Sequence, residues 1–266
     1  QSYHRAVPAL CHLDDKPPAN PHQDKADGFL TKRRQSPTRP FDPFDCVPAL
    51  AMTPPSAPSP ATQLPGHAWF TALAPEHQAL AARETLLQAF EPGAFIARRG
   101  EPSRYWIGVD TGLIKLAVYT SDGRGCTFSG VPAGGWCGEG SVIKREDRRY
   151  DVIAVRASHV LLVPEPVFNT LLAQSLPFAS FVVRQLNERM GQFIATVQND
   201  RLLSADARVA QAIAQLFHPA LYPRTSAVLE LSQEEIGLLT GLSRQRVNRA
   251  LQRLAQAVAA SALRGP

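Results

Sequence analysis

The stretch 231–254 constrains the fold of this chain most strongly, because it combines the boundary signals of two consecutive helices. Ser232 followed by Glu235 has the spacing of a capping box. Gly241 suits the left-handed conformation that ends a helix, and Ser243 is a favoured residue before the next one. Apolar residues then recur at helical spacing, at Val247, Ala250, Leu251 and Leu254. The stretch predicts two short helices joined by a tight turn.

The polar face of the second predicted helix indicates what the pair does. From Ser243 to Leu254 there are four arginines and no acid. Arginine pairs with guanine edges in the major groove, and Gln or Asn pairs with adenine, which favours DNA binding over an ordinary solvated hairpin. The predicted DNA-binding residues are Ser243, Arg244, Gln245, Arg246, Asn248 and Arg249.

The same segment resembles the helix-turn-helix of the cyclic-AMP receptor protein / fumarate-nitrate regulator (Crp/Fnr) superfamily, above all in Glu235-Ile236-Gly237 and in residues 243–249. The resemblance implies that Arg244, Gln245 and Arg249 read bases. The family often has Glu at the position of Gln245, and an amide there prefers adenine, which implies a different half-site. The implied partners are double-stranded DNA, a second copy of the chain and RNA polymerase, without a membrane.

Residues 1–66 form a proline-rich segment that carries 13 of the 23 prolines and few apolar residues at any regular spacing. Such a segment cannot bury enough apolar surface to offset the conformational entropy lost on folding, which predicts disorder. Met52 lies shortly before the predicted folded part. Our hypothesis is that translation naturally starts at this methionine.

The middle of the chain is typical of an antiparallel roll, because short apolar runs from Leu86 to Val163 are separated by turn signals such as Pro92-Gly93 and Ser121-Asp122-Gly123. The order of these runs resembles the sensory β-roll of the same superfamily. The prediction is therefore an α+β fold with four parts, namely a tail at 1–66, a β-roll at 67–175, a dimerisation helix at 176–203 and a helix-turn-helix domain at 204–266.

An effector site in the roll is predicted at four residues that begin a short helix, namely Gly138, Glu139, Gly140 and Ser141. In the superfamily such a Gly-Glu pair contacts the ribose and phosphate of a cyclic nucleotide. The phosphate-binding positions, however, hold Asp151 and Val152, and the long helix has Phe193 and Ile194 where cyclic-AMP binders have hydroxyls. The effector stays unassigned, cyclic AMP is not favoured, and plain turn geometry remains an alternative explanation of the glycines.

The predicted long helix carries an apolar stripe over several turns, which requires a partner helix. In the superfamily this helix forms the coiled coil of a homodimer, whereas packing on its own domain is the alternative. The residues predicted to face the partner are Val182, Leu186, Met190, Phe193 and Val197, and Gln192 is expected to face outward.

Other chemistries find little support in the sequence. The four cysteines lack metal-ligand spacing, and a reducing cytoplasm is the expected location. A haem ligand at His159 or Cys137 and a redox pair of Cys126 with Cys137 are less favoured than ordinary structural roles. The net charge of +5 is consistent with a polyanionic partner.

An enzyme is not expected, although Ser141 to Lys144 matches the S-x-x-K pattern of serine acyl enzymes, because the companion motifs are missing. The alternatives to a DNA-binding regulator are a ligand-binding β-roll protein and a serine-type enzyme. After Leu254 the alanine-rich end departs from the β-hairpin wing of the family, so the wing is either missing or replaced by further helix.

Overall fold

The computed structural model describes residues 60–226 and 228–262, so the predicted disorder of the tail up to residue 59 and the hypothesis about Met52 lie outside the described residues. The helices are α1 Pro60–Gln63, α2 Ala68–Thr71, α3 Pro75–Glu84, α4 Glu139–Lys144, α5 Glu165–Gln174, α6 Leu176–Leu202, α7 Ala205–Gln215, α8 Gln233–Thr240 and α9 Arg244–Ala262. The strands are β1 Leu86–Phe90, β2 Phe95–Ala97, β3 Tyr105–Thr111, β4 Leu113–Tyr119, β5 Gly125–Pro132, β6 Trp136–Cys137, β7 Asp151–Ala154 and β8 Ser158–Pro164.

The eight strands form two four-stranded antiparallel sheets, which confirms the predicted roll and the α+β class. One sheet has the order β1-β8-β3-β6 and the other the order β2-β7-β4-β5. Apolar side chains from both sheets share one core, which includes Ile107, Val109, Ile114, Leu116, Val131 and Val160. The link between β3 and β4 is the single residue Gly112, at φ +94°, where a Cβ would lie 2.3 Å from the hydroxyl of Ser158. Only glycine fits this connection.

Residues 60–66, which the sequence assigned to the tail, are structured. Pro60–Gln63 is helical, and the following turn Leu64–Gly66 is a 3-10 helix. Leu64 is fully buried in a core cluster with Trp69 and Leu73. This burial explains why residues 60–66 belong to the folded part, although the proline content had assigned them to the tail.

A second core joins the roll to its helices through aromatic rings. All three tryptophans of the sequence belong to it. Trp106 stacks on Trp136 with ring centroids 4.0 Å apart, and Trp69 meets both rings edge-on. Phe178, in the first turns of α6, packs edge-on against Trp69 and Trp106. The long helix is thereby anchored on the roll at its N-terminal end.

Helix α6 has the predicted length, and four of the five residues predicted to face a partner are exposed on the single chain, namely Leu186, Met190, Phe193 and Val197; Val182 and Gln192 depart from the prediction. The residues that face the rest of the same chain are Phe178, Val182, Gln185, Arg189 and Gln192. Val182, predicted to face a partner, lies in the aromatic core with 2% of its surface exposed. Gln192, predicted to face outward, is buried because it donates a hydrogen bond to the carbonyl of Gln215 at 3.2 Å. A polar face is therefore turned inward on much of the helix.

The C-terminal helices share a third core, which includes Val209, Leu216, Ile236, Leu242, Val247, Ala250 and Leu251. Helix α9 continues to Ala262, eight residues past Leu254 by sequence number. Within the described residues, further helix thus stands where the family has its wing, one of the two alternatives that the alanine-rich sequence left open. No single described helix is long and apolar enough to cross a membrane. Helices α5 and α6 taken together have the length and composition of a membrane span, but they are bent by 109° with respect to each other.

A buried histidine makes the stability of this fold depend on pH. Nδ1 of His67 accepts a hydrogen bond from Trp136 Nε1 at 3.1 Å, and its Nε2 lies 3.1 Å from a guanidinium nitrogen of Arg224. Burial, assisted by the charge of Arg224 and opposed by Asp110, lowers the pKa of His67 from 6.5 to about 4. The imidazole is therefore neutral in the folded protein near neutral pH.

We expect the free energy of unfolding to fall as the pH is lowered from about 6.5 to about 4, because the unfolded chain takes up a proton that folded His67 refuses. The loss from this residue approaches about 3 kcal/mol at the acid end of the window and is absent above it. Urea unfolding at pH 7 and pH 4.5 measures the change. In His67→Gln the difference between the two pH values should shrink by most of this amount; an equal difference in both proteins would contradict the assignment.

Candidate DNA-binding and effector sites

The first helix of the predicted pair begins and ends at the residues that the sequence indicated. Ser232 accepts a hydrogen bond from the backbone N–H of Glu235 at 3.2 Å, and the carboxylate of Glu235 accepts one from the backbone N–H of Ser232 at 2.7 Å. These two bonds complete the capping box. Gly241 ends α8 in the left-handed conformation at φ +64°.

The turn between α8 and α9 is so tight that a glycine is required on the first helix. A Cβ at Gly237 would lie 2.7 Å from the carbonyl oxygen of Leu242. The N–H of Leu242 also donates to the carbonyl of Gly237 at 3.1 Å. This close approach sets the angle at which α9 leaves the turn.

Gly237→Ala should destabilise the protein by roughly 1–3 kcal/mol, because the added methyl group meets backbone that cannot move aside without breaking the turn. Gly191→Ala is the matched control. Gly191 is also helical, and nothing lies within 4 Å of its Cβ position. Its replacement should stabilise by about 0.5–1 kcal/mol, since alanine is the better helix former. Urea unfolding of both variants tests the pair, and equal effects would contradict the turn geometry.

Helix α9 presents every predicted DNA-binding residue on its exposed side. Exposed are Ser243, Arg244, Gln245, Arg246, Asn248 and Arg249, whereas Val247, Ala250 and Leu251 are buried. Ser243 directly precedes the helix, and its carbonyl accepts from the N–H groups of Arg246 and Val247. In the described part of the chain, the side chains of Gln245 and Arg249 make no hydrogen bond or ion pair, so their polar groups are available to a ligand.

The charge on α9 has one sign along the whole helix. Its 19 residues include four arginines and no acid. Arg253 forms an ion pair with Asp206 of α7 at 3.1 Å, which ties the middle of the helix to its own domain. Arg246 and Arg249 keep their charge toward solvent, and such a surface attracts phosphate groups.

The predicted effector residues surround a buried charged cluster. Glu139 is 4% exposed and pairs with Arg189 of α6, with 3.1 Å between Oε1 and Nε. Arg189 also donates to the carbonyl of Trp136 at 2.5 Å. Burial by itself lowers the pKa of Arg189, but the carboxylate of Glu139 together with neighbouring groups such as Tyr222 outweighs it, and the pKa lies above its ordinary value. The cluster thus joins α4 of the roll to the long helix through a charged pair.

Arg148 completes this cluster, although the resemblance to the family assigned the phosphate-binding positions to Asp151 and Val152. It is 3% exposed, and one of its nitrogens lies 2.1 Å from the position that a Cβ would take on Gly138, at φ +92°. Another donates to the carbonyl of Tyr105. Three buried polar atoms of the cluster have no hydrogen-bond partner, namely Glu139 Oε2, Arg148 Nη1 and Arg189 Nη1. They are two donors and one acceptor, and buried polar atoms without partners are uncommon in folded proteins.

The remaining residues of the predicted site take ordinary positions. Ser141 is buried in α4, and Gly140 has open space around its Cβ position. The carboxylate of Asp151 accepts a hydrogen bond from the backbone N–H of Arg99 at 2.8 Å, which accounts for an acid at this position. Val152 belongs to the core between the sheets.

The structure gives no support to the redox pair of cysteines or to the haem ligands that were considered from the sequence. Cys126 and Cys137 are both free thiols and lie on strands of different sheets. Burial raises the pKa of Cys137 to about 12, so its thiol is unreactive. His159 contacts Thr111 Oγ1 at 3.0 Å. Among the described residues there is no group of histidine, cysteine and acidic side chains that could hold a metal ion.

Comparison with family models and known proteins agrees with this division of the chain. Residues 87–175 match the model of the cyclic nucleotide-binding domain, and residues 207–265 match that of the Crp-like helix-turn-helix domain. Together the two models match more than half of the chain. No curated protein sequence matches it significantly.

Solved structures share the fold. FixK2 from Bradyrhizobium japonicum is 20% identical over 65% of this chain and 85% of its own, with a TM-score of 0.57. A transcriptional regulator assigned to the Crp/Fnr family from Eubacterium rectale is 16% identical over 71% and 87%, with a TM-score of 0.55. The c-di-GMP responsive global regulator CLP from Xanthomonas campestris is 18% identical over 66% and 88%, with a TM-score of 0.51. By its two matched domains and its fold, the chain belongs to the Crp/Fnr superfamily of transcription regulators.

Proposed function

We propose that this protein is a homodimeric regulator that binds a palindromic operator in double-stranded DNA by placing one α9 helix of each subunit in the major groove. The exposed, acid-free face of α9 is the observation that carries the proposal. Two copies of this face, related by a two-fold axis, fit half-sites about one helical turn apart. RNA polymerase is the proposed further partner, and the cytoplasm, where DNA is available, is the proposed location.

The exposed residues at the start of α9 form the reading face, which consists of Ser243, Arg244, Gln245, Arg246, Asn248 and Arg249. We assign them separate roles in DNA binding. Arg244, Gln245 and Arg249 contact base edges, with arginine suited to guanine and the amide of Gln245 suited to adenine. Ser243, Arg246 and Asn248 complete the contact surface. Hydrogen bonds to phosphates fix the register on the duplex, whereas base contacts give sequence preference.

The proposed dimer rests on the outer side of α6. Large apolar residues are exposed there while glutamines and an arginine are buried on the opposite side, and the exposed ones are Val183, Leu186, Met190, Phe193, Ile194 and Val197. An apolar stripe of this length on one helix is costly in water. Antiparallel or parallel pairing with the same helix of a second copy would bury it.

The proposed effector is a small anion bound in the roll at Glu139, Arg148 and Arg189. Its support is the set of buried atoms without partners in this cluster. Cyclic AMP is not favoured, because Phe193 and Ile194 stand where hydroxyls would meet the purine. CLP from Xanthomonas campestris is named as responsive to c-di-GMP, so a regulator of this fold is not restricted to cyclic AMP.

A gel-shift titration of the purified protein at rising salt tests the proposed function. Specific operator binding predicts a complex that forms on selected DNA in preference to random DNA, and whose affinity falls steeply with salt as phosphate contacts are screened. An enzyme or a ligand-binding roll protein would give no sequence-selective complex at any salt concentration.

A further inference from the structure

The roll holds the first DNA-binding helix by a two-pronged ion pair. Arg156 follows strand β7 after one residue, and its guanidinium faces the carboxylate of Glu235 in the first turn of α8. Nη1 donates to Oε1 at 3.0 Å and Nη2 donates to Oε2 at 3.1 Å. Nη1 also donates to the carbonyl of Val155 at 2.8 Å, which holds the arginine in place. Two parallel hydrogen bonds fix the relative orientation of the guanidinium and the carboxylate as well as the distance between them.

The partner of Arg156 is also the residue that completes the capping box. The Oε2 atom of Glu235 accepts from the N–H of Ser232 at 2.7 Å while it accepts from the arginine. The contact therefore acts on the backbone at the start of α8 and not only on a mobile side chain. Helix α8 in turn fixes α9, because Ile236 and Val247 share a core and Gly237 contacts the turn at Leu242.

A second set of contacts fixes the same domain on the roll at another point. Tyr222, in the segment between α7 and α8, is 2% exposed, and its hydroxyl lies 3.2 Å from Ser129 Oγ of β5. Arg224 forms an ion pair with buried Asp110 of β3 at 2.8 Å. With two separated attachments, the helix-turn-helix has little freedom to turn on its own roll, and the reading face of α9 stays exposed.

We propose that Arg156 is a positioning residue for DNA reading, which acts through Glu235 to hold α8, and therefore α9, in one orientation on the roll of its own subunit. The proposal rests on the proposed DNA-binding function. A helix that is already oriented loses less freedom when it enters the groove, so the ion pair contributes to operator affinity without touching DNA. The ion pair also connects the roll to α9 through α8, in addition to the connection through the long helix α6.

Operator titration with the full-length protein tests this role. Arg156→Ala should weaken operator binding by roughly 5- to 10-fold, within the usual range of coupling between sites. Arg156→Lys should recover part of the loss, because lysine keeps the charge but not the two-pronged geometry. The matched control is Arg149→Ala, which removes an exposed arginine whose ion pair with Glu146 stays within its own loop. This control should bind the operator as the unchanged protein does.

Glu235→Gln separates positioning from helix capping, since glutamine can also complete a capping box. In the Arg156→Ala background, Glu235→Gln should cause no further loss of affinity, because the pair is already broken. Amide exchange should become faster in the first turn of α8 in Arg156→Ala and stay unchanged in strands β3 and β8.

Three results would overturn the inference: operator affinity unchanged in Arg156→Ala, an equal loss in Arg149→Ala, or independent losses that multiply in the double variant. Failure of the proposed function itself looks different. In that case the unchanged protein would already show no preference for any DNA sequence.

Discussion

Phe193→Asp should convert the proposed homodimer into monomers and lower operator affinity by at least about 100-fold. Phe193 lies on the exposed apolar stripe of α6, and 39% of its surface is exposed in the single chain. In a dimer the substitution would place a carboxylate without a partner in an apolar interface, which costs several kcal/mol. A monomer can occupy only one half-site, so it also loses the gain that comes from linking two reading helices. Light scattering gives the mass, and a gel shift gives the affinity.

Gln198→Asp is the control for this substitution. It adds the same charge to the same helix at an exposed position beside the stripe rather than on it. We expect the control to remain a dimer and to bind the operator normally. A dimeric Phe193→Asp protein with full operator affinity would show that α6 is not the interface. Val182→Asp is unsuitable for this purpose, because Val182 is buried in the chain's own core and its replacement would disturb the fold.

Arg249→Ala should cost roughly 1–3 kcal/mol of operator affinity and relax the preference at one base position. The expected loss is specific because an arginine that pairs with the edge of a guanine discriminates against the other bases. Binding is measured on the operator and on the single-base variants of each half-site. In Arg249→Ala, a base change at the position that Arg249 reads should lower the affinity less than the same base change does in the unchanged protein.

Arg253→Ala provides a comparison on the same helix with the same change of charge. The guanidinium of Arg253 is engaged with Asp206, so its removal should weaken all sequences slightly and alike. If Arg249→Ala also weakens every sequence evenly, Arg249 contacts phosphate and does not read a base. The pair of variants thus separates base recognition from general electrostatic attraction.

The helix-turn-helix was predictable because its signals are local. Ser232, Glu235 and Gly241 act on backbone groups within four residues of themselves, and the structure has the capping box and the left-handed helix end that they indicated. The strands of the roll were predictable for a related reason, since turns between short apolar runs leave few alternatives to antiparallel pairing. In both cases short-range chemistry determines the structure.

The inward face of α6 was not predictable, because its partners are distant in sequence. Arg189 and Gln192 look like solvent-facing residues, but inside the chain Arg189 pairs with Glu139 and Gln192 donates to the carbonyl of Gln215. Polar residues with such partners can be buried. A pattern that counts only apolar side chains therefore misplaced Gln192, which was expected to face outward, and Val182, which lies in the chain's own core.

The position of Arg148 was hidden for a similar reason. The family's register puts Asp151 and Val152 at the phosphate-binding positions, and only the three-dimensional structure shows the guanidinium of Arg148 next to Gly138. The missing side chain at Gly138 is consistent with this arrangement, since a Cβ there would collide with the arginine. The proline content of the tail likewise hid the role of Leu64, which is fully buried.

Selection of bound oligonucleotides from a random pool by the purified full-length protein tests the central claim most directly. We expect enrichment of sites with two-fold symmetry, whose half-sites are about one helical turn apart and contain guanine and adenine at positions within reach of Arg249 and Gln245. A pool that stays random after repeated rounds, or that yields only a single unpaired half-site, would contradict a dimer that reads DNA with α9.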